Sequence, residues 1–133
     1  MAETLIFCAQ GYANSISVSL GLANMFKGQG VDVAVLFSME ALVAFAERRF
    51  VFSPLVAKYA ETVIENTEKM GMSTDPMETL KRAKGAGGRI YACGFWADLL
   101  GVRDKLPPDM EIVEIADMLK LFTEAKKVVT FAA

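Results

Sequence analysis

Cys8 and Cys93 are the two thiols of a 133-residue chain that contains no histidine. Together these facts narrow the available chemistry. Without an imidazole there is no Ser-His-Asp or Cys-His hydrolase, no two-histidine iron site and no histidine phosphotransfer. Two cysteines far apart in sequence, with no histidine to complete the set, do not make a zinc site, so no metal is expected. What remains is chemistry that a thiolate performs on sulfur or carbon electrophiles. Its activation must come from backbone amides, from a Lys or Arg, or from a partner protein.

Cys93 is the stronger candidate. It ends the apolar part of Arg89-Ile90-Tyr91-Ala92-Cys93-Gly94-Phe95-Trp96, approached through Gly85, Gly87 and Gly88. The run reads as a buried strand that gives way to a helix over Phe95 to Leu100, with Gly94 allowing the turn. A thiol at such a junction faces free N–H groups, whose partial positive charge favours the thiolate. Gly94 and Phe95, next in the chain, are the expected substrate-binding neighbours, together with Cys8. Phe95-Trp96 can equally be a shielding wall or ordinary core. Cys8 follows Leu5-Ile6-Phe7, where a free cysteine also packs well as a small hydrophobe. If the first and third strands are neighbours, both thiols face one crevice and can exchange sulfur. Arg89 and Arg103 flank the thiol segment and could steady a thiolate, although solvated surface charge is the simpler role.

Other motifs carry less. Gln10-Gly11-Tyr12 has too few glycines for a phosphate cradle, and no GxGxxG or Walker sequence follows a strand. Gly85-Ala86-Gly87-Gly88 precedes a strand rather than a helix, so it reads as a helix end and connection. Met70, Met72 and Met77 read as packing rather than as soft-metal ligands.

These residues need a frame to hold them. Thr4 to Ala9 and Val31 to Phe37 read as buried strands joined by a helix that Asn14 or Ser15 could cap. Pro54 suits the first turn of a helix running through Leu55, Tyr59, Val63 and Ile64, Met70-Gly71-Met72 ends it, and Asp75-Pro76 starts another. Glu111 to Ile115 forms a fourth strand, Asp117 caps a helix over Met118 to Ala125, and Lys127 to Phe131 closes the pattern. Strands alternating with helices predict a three-layer α/β/α sandwich around a mainly parallel five-stranded sheet, with residues 1–133 as one domain. The crossovers should be right-handed.

Composition sets the boundaries. The formal net charge is −2 and no basic patch interleaves with aromatics, which argues against nucleic acid. No apolar run reaches the roughly 18 residues of a membrane helix, and Met1-Ala2-Glu3-Thr4 lacks a secretion signal, so a cytoplasmic location is expected. The chain is 53% hydrophobic, and a small domain has limited interior for that much apolar surface. The segment Leu42 to Tyr59, with Phe45, Phe50, Val51, Phe52 and Leu55, is therefore an expected subunit interface.

The chain resembles the DsrE/DsrF/DsrH-like sulfur-transfer proteins, especially the branch labelled peroxiredoxin-like. The resemblance covers nearly the whole length. It rests on the Leu5-to-Cys8 strand and its helix, the Val33-to-Phe37 strand, Met70-Gly71-Met72, Ala92-Cys93 with Gly101-Val102 eight residues later, and Val128-Val129-Thr130-Phe131. It implies a small α/β subunit that assembles into trimers or hexamers, and a cysteine at Cys93 that carries sulfur as a persulfide. Family members that lack this cysteine serve as structural partners. A sulfur carrier, exchanging sulfur with donor and acceptor proteins or small sulfane donors, is the expected function, and it needs no cofactor. A scaffolding subunit is the second reading and a flavodoxin-like cofactor binder the third.

Overall fold

The structure, a computed structural model, describes residues 2–132. Five strands, β1 (Thr4–Cys8), β2 (Val33–Phe37), β3 (Arg89–Cys93), β4 (Glu111–Val113) and β5 (Lys127–Phe131), form one sheet in the order β4-β3-β2-β1-β5. Every pairing is parallel. Seven helices connect them: α1 (Ala13–Gly28), α2 (Glu40–Glu47), α3 (Pro54–Ala57), α4 (Ala60–Lys69), α5 (Pro76–Gly85), α6 (Gly94–Leu100) and α7 (Ile115–Glu124). A parallel sheet covered on both faces needs near-continuous apolar strands. β2, with all five residues of Val-Ala-Val-Leu-Phe buried, meets that need at the centre.

Adjacent strand residues point to opposite faces, and this assigns the layers. Cys8 meets Ser19 of α1, while its neighbour Phe7 packs edge-on against Phe122 of α7 with ring centroids 5.5 Å apart. α1 and α5 pack together on the first face. The second face carries α7, which spans the long return from β4 at one edge to β5 at the other. Its ten residues extend about 15 Å; Met118 touches the end of β3 and Phe122 packs over β1.

Several boundaries differ from expectation, each for a local reason. Asn14 does not cap α1, because its carboxamide oxygen accepts from the Ser53 amide at 2.9 Å; the Ser15 hydroxyl donates to Gln10 at 2.5 Å. The helix expected from Pro54 through Ile64 breaks at Lys58-Tyr59 into α3 and α4. Neither piece has a buried residue, so no core stripe holds them as one rod. The fourth strand stops at Val113 and α7 begins at Ile115, leaving Asp117 inside the first turn instead of at the cap. Asp75 does cap α5, accepting from Met77 at 3.0 Å, with Pro76 in the first turn.

The expected interface segment also divides. Leu42 and Phe45 are fully buried, and Phe45 packs edge-on between Phe37 and Phe50. Val51, Leu55 and Tyr59 remain exposed. No helix among the described residues is long and apolar enough to cross a membrane.

Candidate functional site

The two thiols do not share a crevice. β2 lies between β1 and β3, so the premise that these strands are neighbours fails. The register sets Cys8 beside Phe37, and Phe37 beside Ala92. Two strand spacings put Cys8 about 10 Å from β3. Residues in register share a face, so Cys8 sides with Ala92 and faces α1, whereas Cys93, one residue on, faces α7. Direct sulfur exchange between them is therefore ruled out in this arrangement, and both cysteines are free.

Cys8 is walled in. It is fully buried on the central side of the sheet, and its thiol donates toward the Gln10 carbonyl at 3.5 Å. Ser19, also buried, hydrogen-bonds the Cys8 sulfur and donates to the Ser15 carbonyl at 2.8 Å. Burial pushes the Cys8 thiol above its ordinary pKa, and the bonds with Ser19 and Gln10 offset only part of that. Strand order reverses between β1 and β5, the place where open α/β sheets usually keep a ligand crevice. Here the Ala9 and Gln10 amides both donate to the Phe131 carbonyl, at 3.0 and 3.2 Å, which draws the two strand ends together.

Cys93 sits differently. It is both the last residue of β3 and the N-cap of α6, so no loop separates strand from helix. Gly94 makes this possible through close approach. A Cβ there would stand 2.7 Å from the Val113 carbonyl oxygen and 3.2 Å from both Arg103 and Glu114. Gly101 in the left-handed region ends α6 one residue after Leu100. The Cys93 thiol is 2% exposed, and its Sγ lies 3.5 Å from Sδ of Met118 in the first turn of α7. On the two helices that flank it, α6 and α7, Phe95, Leu99, Ile115 and Leu119 are each about half exposed.

Arg103 does not reach the thiol as a counter-ion. Its guanidinium is forked onto Asp98, Nε to Oδ1 at 2.7 Å and Nη2 to Oδ2 at 2.9 Å. Nη1 also meets Glu114 at 3.0 Å, and Nη2 approaches the Gly94 carbonyl at 3.5 Å. The bond to Arg103 holds the Asp98 carboxyl below its usual range, and the two carboxylates raise Arg103 further above its own. Arg89 pairs with Asp32 at the opposite end of β3. Sequence reasoning missed the Met118 and Glu114 contacts, since neither residue has a spacing that points to β3.

Among the described residues no cluster of His, Cys, Asp or Glu could hold a metal ion. A groove of about 480 Å³ between α1, α4 and α5, lined by Val18, Leu22, Met25, Phe52, Val63 and Met72 among others, contains neither cysteine.

No curated protein matches this sequence. Two solved structures resemble the fold over 98% of this chain and 100% of their own. The crystal structure of the ychN protein from E. coli is 20% identical with a TM-score of 0.66. The structure of MTH1491 from Methanobacterium thermoautotrophicum, a protein of unknown function, is 10% identical with a TM-score of 0.63. The sequence profile of the DsrE/DsrF-like family matches residues 1–131, and the chain belongs to that family.

Proposed function

We propose that this protein is a sulfur carrier that holds sulfane sulfur as a persulfide on Cys93 and passes it to an acceptor thiol. The observation that carries this reading is the place of Cys93 at the strand-to-helix turn before Gly94, two residues from the exposed Phe95, in a DsrE/DsrF-like chain. The chemistry needs no metal, histidine or cofactor. With thiosulfate as donor, the Cys93 thiolate attacks the outer sulfur, a new S–S bond forms, and sulfite leaves with the electron pair of the old one. An acceptor thiolate then attacks the terminal sulfur, and the Cys93 thiolate departs. No net oxidation accompanies either step. Gly94 packs against the Val113 carbonyl and so fixes Cys93 at the turn, and Phe95 borders the donor's path. Cys8, behind β2, is auxiliary.

The test is transfer. Protein loaded with thiosulfate or polysulfide, freed of donor and mixed with a small thiol, should yield the persulfide of that thiol and return to its starting mass. Failure to load or to release would reject the carrier.

The second reading, a scaffolding subunit with Cys93 as packing, is favoured by the thiol's burial. Under either reading the exposed Phe95, Leu99, Ile115 and Leu119, with Val51, Leu55 and Tyr59, support self-association, for which we propose a trimer or hexamer. Light scattering at micromolar concentration should show that assembly, and a monomer would refute it.

A further inference from the structure

The Cys93 thiol is buried, and one flexible side chain in contact with it, Met118, itself reaches the surface. Met118 is half-buried, with its sulfur 3.5 Å from Cys93 Sγ. An unbranched thioether with three rotatable bonds can swing aside without moving its helix. What holds that helix start in place is unusual. Glu114, the N-cap of α7, makes no side-chain bond to the amides of its own first turn. Its carboxylate goes instead to Arg103, which also grips Asp98 on α6 and approaches the Gly94 carbonyl. One guanidinium thus ties the helix after the thiol, the turn beside it and the helix above it. The tie is solvent-exposed, and exposed ion pairs are individually weak, so it locates α7 without locking it.

We propose that Met118 is the specificity-determining residue of the Cys93 site, a thioether gate that admits slender electrophiles and excludes bulky ones, positioned by the Arg103 tie. This rests on Cys93 being the reacting thiol. The gate sorts reagents by width: the outer sulfur of thiosulfate or a polysulfide end can slip past a displaced methionine, whereas a broad electrophile cannot.

The experiment measures modification rates of Cys93 in a Cys8→Ser background with two neutral probes, iodoacetamide and pyrenylmaleimide. Met118→Ala should speed the bulky probe about tenfold and iodoacetamide much less. Met118→Leu, of similar volume, should restore slow, size-selective labelling. Arg103→Gln should raise both rates by a smaller factor while leaving their ratio closer to that of the parent. Unchanged selectivity in Met118→Ala overturns the gate. So does equal acceleration of both probes there, since that reports general loosening. If Met118→Ala does not fold, a Met118→Val variant carries the same comparison. Labelling reads access and not sulfur uptake, so failure of the gate and failure of the carrier give separate results.

Discussion

Cys8 closes β1 between β2 and β5, where α1 lies over it, Ser19 stands against its sulfur and β5 is drawn in beside it. Cys93 closes β3, where the chain turns directly into α6 and the half-buried Met118 touches its sulfur. Both thiols are buried and both end a parallel strand. Placement at a strand end is therefore not enough to make a site. The difference lies in how the chain leaves each strand. After β1 it takes four residues, Ala9 to Tyr12, to reach α1, and the Ala9 and Gln10 amides serve to close the sheet. After β3 it takes none.

The contrast breaks most easily at Gly94. In Gly94→Val the new Cβ meets the Val113 carbonyl at 2.7 Å, and neither backbone can yield without disturbing the β3–β4 pairing. Forcing volume into a packed site costs about 1–3 kcal/mol, and a loss toward the upper end is expected here. A fall in the urea midpoint at constant slope measures it. An unchanged midpoint would mean that the tight turn is not required.

A smaller effect is expected at Cys8. Cys8→Ser keeps a hydrogen-bonding group beside Ser19 and Gln10, so it should cost about 1 kcal/mol and leave sulfur loading intact. Its titration gives a signature of its own. A thiol whose folded pKa is raised stabilises the fold fully below the unfolded value and loses that contribution as pH rises through the interval up to the folded value. The stability difference between the parent and Cys8→Ser should therefore shift against the parent as pH climbs past the ordinary thiol value of 9.0. Denaturation at pH 7, 9 and 10 would show it, and a pH-independent difference would contradict the burial of Cys8.

Much of the frame was legible because its signals are local. The apolar runs of β1, β2 and β3, Asp75-Pro76 before α5 and Gly101 after α6 each announce themselves within a few residues. Strand order is not local. Nothing in Leu5-Ile6-Phe7-Cys8 says that Phe37, rather than Cys93, stands beside it, and that one fact separates the two thiols. Arg89 and Arg103 looked equivalent as flanking charges, but one pairs at the far end of β3 and the other braces the near end. Met118 read as a helix residue with no hint of which strand it covers. The long α7 crossover decides that, and a crossover's path depends on the whole sheet.

The central claim is that sulfur resides on Cys93, and intact mass spectrometry after exposure to a sulfane donor tests it directly. The parent and Cys8→Ser should gain mass in steps of one sulfur atom, reversed by reductant, while Cys93→Ser gains none. Loading of Cys93→Ser equal to the parent would contradict the account.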